Sequence, residues 1–267
     1  VSSLLGITVL VVLGMLISVI VSFFRVVLRH FNQKVVYKKE GIEVSEGLFT
    51  RREDVLKISK IQYIVEVTNP VKKAMDIGTV KIKQAGSAKM KQKKLVELVG
   101  VKLPFMQELK SLFFLKEVTE SSSVFRPAPY FVFRMCLRSF VFVCLVNLGI
   151  YFNAFSGLET LLLNSIILPL TVYLIYLKRN KTYFQFDGEK LIIGDGKIST
   201  ITTIIEFYKT QNIQRVQSVI QKRRGVATIK IQTASGVVKL PCLHQSDAIL
   251  IQEKIIQKVE NSRRDWI

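Results

Sequence analysis

Acidic residues, cysteine and histidine are all scarce in this 267-residue chain. Three cysteines without a Cys-x-x-Cys spacing exclude a disulfide framework and a zinc ribbon. With only His30 and His244 beside them, no metal site or other cofactor is expected. There is no Gly-x-Gly-x-x-Gly and no Gly-x-x-x-x-Gly-Lys-Ser/Thr, so no phosphate-cradling loop is indicated. Aspartate and glutamate total 20 against 39 Lys and Arg, a net charge of +19, although 49% of the residues are hydrophobic. A soluble domain mixes both signs over its surface; a chain both apolar and basic suits a membrane protein with its charge on one side.

Charge is also missing in long blocks. Residues 1–24 carry none and are followed by Arg25, Arg29 and Lys34. The run lacks the basic start and cleavage site of a signal peptide, and about 20 apolar residues suffice to cross a bilayer as a helix. Residues 139–158 and 160–177 are uncharged on either side of Glu159. The polar, glycine-containing stretch 153–159 predicts a turn, and so a transmembrane hairpin, with Pro169 tolerated in its second arm. Of the Lys and Arg, 23 lie between Arg25 and Arg138 and 16 from Lys178 onward; the hairpin tip has none. The positive-inside rule then puts both basic segments in the cytoplasm and the tip outside. Val1 would also lie outside, so an earlier span or signal is expected ahead of it.

Both basic segments read as short antiparallel strands closed by a helix. In the first, 35–37, 42–44, 48–51, 58–67, 79–83 and 95–103 are apolar or alternating runs between glycine-containing turns, and Pro104 opens a helix to about residue 117. Leu109, Leu112, Phe113 and Lys116 fall on one face of that helix. In the second, 183–186, 191–193, 197–204, 229–231 and 237–240 precede a helix of residues 247–261, capped by Ser246, with Ala248, Ile251, Ile255 and Val259 on one face. At an offset of 149 positions Lys60/Lys209, Gln62/Gln211, Ile64/Ile213, Val67/Val216, Lys73/Lys222, Thr79/Thr228, Lys81/Lys230, Ile82/Ile231 and Ala85/Ala234 are identical. Such self-similarity reads as one module used twice.

The run from Gly47-Leu48-Phe49-Thr50-Arg51-Arg52 through Lys60-Ile61-Gln62 to Met75-Asp76-Ile77-Gly78-Thr79 resembles the bacterial PH-like domain of YdbS/YdbT-type membrane proteins. Those proteins alternate such domains with transmembrane hairpins. The resemblance implies an α+β membrane protein with two PH-like antiparallel barrel or sandwich domains, each closed by a C-terminal helix, plus three transmembrane helices. The expected boundaries are 1–33 for the first helix and its basic flank, 34–125 for the first domain, 126–181 for the hairpin and 182–267 for the second domain. Asn69-Pro70 in the first copy and Ser235 in the second depart from the family pattern, and a further PH-like copy common in YdbT-like chains is missing.

Catalysis finds little support. Cys242 and His244 could form a nucleophile and base, but suit a strand end better, and Glu53-Asp54 and Asp187/Glu189 suit solvated turns. The spans hold no Asp, Glu or Lys, which argues against transport. No enzyme activity is expected. Lys72 and Lys73, together with Lys222, Arg223 and Arg224, occupy equivalent loops, and Lys89, Lys91, Lys93 and Lys94 form a second concentration. Each such cation near an anionic leaflet contributes about 1 kcal/mol of attraction, although positive-inside bias alone would also place them there. Aromatics are not interleaved with these clusters, so no nucleic-acid partner is expected. The sequence therefore leads to a multi-pass scaffold in a bacterial cell membrane. Its partners are the bilayer, through anionic headgroups, and a second PH-like membrane protein in a hetero-oligomer. A subunit of an export or transport complex is the alternative.

Overall fold

The computed structural model describes residues 2–38, 41–85, 95–113, 123–152 and 157–261, in two compact units, 1–59 and 60–267. The first unit opens with α1 (Ser2–Arg29), whose side chains from Leu13 to Val27 are exposed wherever apolar and large. A meander of β1 (Lys34–Lys38), β2 (Gly41–Glu46) and β3 (Arg52–Lys57) follows, in the order β1-β2-β3. The third strand begins at Arg52, just past the expected 48–51, because that stretch is the β2–β3 turn. Gly47 takes φ +109 there, and a side chain would run into the carbonyl of Thr50. The turn closes the end of α1: Gly47 N–H donates to the Phe31 carbonyl at 3.0 Å and Leu48 N–H to that of Leu28 at 3.1 Å. These bonds occupy carbonyls that the helix end leaves without internal donors.

The second unit carries β4 (Ile61–Thr68), α2 (Pro70–Ala74), β5 (Ile77–Gln84), β6 (Leu95–Lys102) and α3 (Leu103–Phe113). Two long helices follow the short β7 (Val124–Phe125): α4 (Tyr130–Phe152) and α5 (Gly157–Lys181). Both are long and apolar enough to cross a membrane, and they are the two such helices among the described residues. A third crossing by α1 is not supported in the same way. The helix resumes at Gly157, so Glu159 sits in the first turn of α5 rather than in the expected break; an acid at a helix start is favoured by the N–H groups exposed there.

After the hairpin come β8 (Tyr183–Asp187), β9 (Lys190–Asp195), β10 (Thr200–Glu206), β11 (Thr210–Val216), α6 (Val219–Arg223), β12 (Val226–Thr233), β13 (Gly236–His244) and α7 (Gln245–Asn261). Shifted by 149, the bounds of β1, β2, α2 and β5 land on those of β8, β9, α6 and β12. Around β8–β13 one apolar core gathers Phe184, Phe186, Ile193 and Ile205 from one sheet, Ile229, Ile231 and Leu240 from the other, and Ala248, Ile251 and Ile255 from α7. The expected apolar face of α7 is the one buried. On α3, Met106 and Leu109 are the buried positions, while the side chains at 112, 113 and 116 lie outside the described residues.

Two closed barrels are not what the strands form. β4 and β10 pair antiparallel from Thr200↔Thr68 to Ile205↔Tyr63, making one seven-stranded sheet, β6-β5-β4-β10-β9-β8-β7, from strands of both copies. The remaining sheet is β11-β12-β13. Edge strands with alternating apolar residues are templates for this pairing, and β10 offers Ile201, Thr203 and Ile205 to one face.

Candidate functional site

Of the nine cations singled out in the sequence, the five that are described lie on two single-turn segments, α2 and α6 with its C-cap. Lys72 and Lys73 lie on α2, a single turn started by Asn69, whose Oδ1 accepts from the Lys72 N–H at 2.7 Å. Lys73 is exposed, but Lys72 Nζ donates to Thr79 Oγ1 at 2.6 Å. Its counterpart across the repeat is not a cation but Gln221, 7% exposed, whose Nε2 donates to Thr228 Oγ1 at 3.1 Å. Ser218 caps that turn, with Gln221 closing the capping box. Lys72 therefore serves the same local bond as Gln221. Lys222, Arg223 and Arg224 are exposed, and the Arg224 guanidinium lies 5.9 Å from the Phe133 ring on α4. Lys89, Lys91, Lys93 and Lys94 lie outside the described residues.

A different set of cations converges. At the foot of the hairpin a cavity of about 410 Å³ opens between the start of α4, the end of α5 and strands β8, β9 and β13. Arg134 and Arg138 come from the first turns of α4, Lys178 from the last turns of α5, Lys197 from the loop after β9 and Lys239 from β13. Phe131, Ile175, Phe184 and Pro241 supply apolar wall, and Asp195 is the acid in the lining. Asp195 is engaged by Lys178 in an ion pair. The Arg134 Nε is buried without a hydrogen-bond partner, while its Cζ lies 5.9 Å from the Phe131 ring. A buried donor without an acceptor costs on the order of 1–3 kcal/mol, so the cavity is electrostatically suited to an anion that brings oxygens.

In the sequence Arg138 and Lys178 appear only as the charged edges of the uncharged hairpin, and nothing marks Arg134, Lys197 or Lys239 as part of a site. These residues are 105 positions apart at the extremes, and no local spacing joins them. A local signal did exist for two of them, since Lys178 and Arg138 bracket the uncharged hairpin.

Cys242, which follows Pro241 of the cavity wall, is fully buried with φ +54. Its Sγ accepts from Gln221 Nε2 at 3.8 Å. Burial pushes the thiol up, opposed in part by Arg134, the Gln221 bond and Arg138. A raised thiol holds its proton and is a poor nucleophile.

Within the hairpin, Asn147 and Asn164 bind each other reciprocally: Nδ2 to Oδ1 at 3.0 Å in one direction and 2.7 Å in the other. Each Nδ2 also donates to the carbonyl four residues back, Val143 at 2.9 Å and Thr160 at 3.0 Å. The asparagine pair thus joins the two helices, while Ser165 Oγ donates to the Leu162 carbonyl of its own helix.

Two comparisons bear on this architecture. Residues 2–115 and 137–259 each match the family model described as bacterial PH domain. The chain is also 24% identical over 236 residues to the UPF0699 transmembrane protein YdbT of Bacillus subtilis (strain 168), covering 85% of this chain and 46% of that protein. It thus spans about half the length of this curated relative.

Proposed function

The chain belongs to the bacterial PH domain family, and on that premise we propose that it is a non-catalytic membrane scaffold that holds anionic lipid headgroups where its second PH module meets the transmembrane hairpin. The cavity at the foot of α4 and α5 carries the reading: five cations face one carboxylate already paired, and a buried arginine Nε awaits an acceptor. A phosphate-bearing headgroup supplies acceptor oxygens and negative charge at the depth where a hairpin leaves the bilayer.

In this reading α1, α4 and α5 all cross, and the Lys/Arg distribution puts both modules, 34–125 and 182–267, on the cytoplasmic side. Exposed Lys73, Lys222, Arg223 and Arg224 add attraction to the leaflet, and Arg224 on Phe133 keeps α6 close to the base of α4. A second PH-like membrane protein is the partner proposed for the assembly. A transport path fits less well, since Asn147 and Asn164 use their amides on each other and Ser165 donates back to the Leu162 carbonyl.

The test is lipid retention by the full chain in non-denaturing mass spectrometry, phosphatidylglycerol against phosphatidylcholine. The wild type should retain the anionic lipid preferentially. Arg134→Gln combined with Lys239→Gln should cut that preference about thirtyfold, at roughly 1 kcal/mol for each cation. Equal retention of both lipids by the wild type would overturn the proposal.

A further inference from the structure

The cavity at the foot of the hairpin gathers more positive charge than one phosphate can match. Five cations line it against one acid among the described residues, and Lys178 is already paired with that acid, Asp195. Four remain: Arg134 and Arg138 one helical turn apart on α4, Lys197 in the loop after β9, and Lys239 on β13. Two thus stand on the hairpin and two on the strand-bearing module. Positions i and i+4 of a helix are neighbours, so the two arginines destabilise each other unless an anion lies between them. A phosphodiester headgroup carries a single negative charge and would leave three of the four cations unmatched. At about 410 Å³ the cavity is also of the size that encloses a whole small ligand.

We infer that the cavity takes an amphiphile whose headgroup carries two phosphates, one held by Arg134 and Arg138 and the other by Lys197 and Lys239. This rests on the lipid reading above and names the class of headgroup. Arg134 fixes one end, because its Nε is buried without a hydrogen-bond partner and a guanidinium fork gives a phosphate two parallel N–H donors. Lys197 and Lys239 are exposed and act as point charges, which suits a second phosphate set at a distance by its linker. The lining also includes Ser139, just past Arg138 on α4, and Ile175, nearly one turn before Lys178 on α5. Both belong to the uncharged hairpin, so a chain attached to the headgroup can leave the cavity into hydrocarbon. Two linkages meet this description: phosphates joined directly in a pyrophosphate ester, and phosphates joined through a glycerol bridge.

Ligand pairs that differ by one phosphate test it, presented to the full chain in detergent and read by non-denaturing mass spectrometry. Farnesyl phosphate is set against farnesyl pyrophosphate, which keeps the tail constant, and phosphatidylglycerol against cardiolipin. The two-phosphate member of at least one pair should be retained about thirtyfold better, the factor for two further cations met by the second phosphate. An advantage in the first pair alone identifies the direct linkage, and in the second alone the glycerol bridge. Lys197→Gln with Lys239→Gln, both exposed, should bring each two-phosphate ligand to within about threefold of its partner. Arg215→Gln, exposed on β11 and outside the lining, should leave the ratio unchanged. Inorganic pyrophosphate at equal concentration should not displace farnesyl pyrophosphate; displacement would mean a site for a soluble anion and overturn the amphiphile. An advantage that survives the double lysine variant would put the second phosphate elsewhere and overturn the assignment. Phosphatidylglycerol retained over phosphatidylcholine, with no two-phosphate ligand better than its partner, would overturn this inference and leave the headgroup reading standing. No discrimination between those two lipids would overturn both.

Discussion

The two copies share bounds and register but differ in what fills equivalent positions. Tyr183 stands opposite Gly194 where the first copy has Lys34 opposite Ser45. In the second copy an aromatic ring lies across a glycine, and any side chain on Gly194 would meet that ring and the Lys181 carbonyl. The first copy has a flexible lysine there and tolerates a hydroxymethyl. The helix ends differ in the same way: His30 Nδ1 meets Glu46 Oε2 at 2.8 Å just after α1, and Lys178 meets Asp195 from the last turn of α5. One scaffold thus accepts different chemistry wherever the backbone geometry is kept.

The sharpest way to break the comparison is in the core. Phe184→Ala should destabilise the second module by about 3–5 kcal/mol, because Phe184 is fully buried, while Val35→Ala at the matching position should cost about 1 kcal/mol. Urea-dependent proteolysis of the detergent-purified chain, followed by fragment mapping, separates the two. Gly194→Ser comes next, at roughly 2 kcal/mol through overpacking against Tyr183, whereas Ser45→Gly should cost less than about 1 kcal/mol. Similar losses in both copies would mean the ring–glycine pair is incidental. Exchanging the loop residues is a smaller perturbation. Gln221→Lys puts a cation beside buried Cys242 and should cost about 1–2 kcal/mol, while Lys72→Gln should be close to neutral.

The smallest effect concerns Lys209, 2% exposed where its counterpart Lys60 is exposed. Burial pushes its ammonium below the ordinary lysine range, with Glu206 opposing. A lowered folded-state value favours folding at pH above the unfolded lysine range and loses that contribution as pH falls through the folded value. Lys209→Met should therefore gain most over wild type at neutral pH and lose that advantage as the pH approaches 10.5, the unperturbed lysine value. Stability against pH for both proteins, with Lys60→Met as the flat control, checks the sign.

Much of this was legible before any coordinates. The 149-residue offset predicted which elements recur, because strand and turn signals are local and both copies carry them. The buried face of α7 followed from helical spacing. Asn69-Pro70 and Ser218 with Gln221 are cap signals for α2 and α6 that strand patterning overshadowed. The β4·β10 pairing was out of reach, since apolar alternation tells a strand which face to bury but not which neighbour to choose. The cavity was hidden for a related reason: it gathers cations from two helices, a loop and a strand, and each by itself reads as a solvated charge.

The reciprocal asparagine pair has a mechanical consequence. Sliding α4 past α5 by one turn would break both amide bonds inside hydrocarbon, where no water replaces them. The two helices are pinned in axial register, so a thinner bilayer is met by leaning the pair as a single strut rather than by shearing one helix along the other.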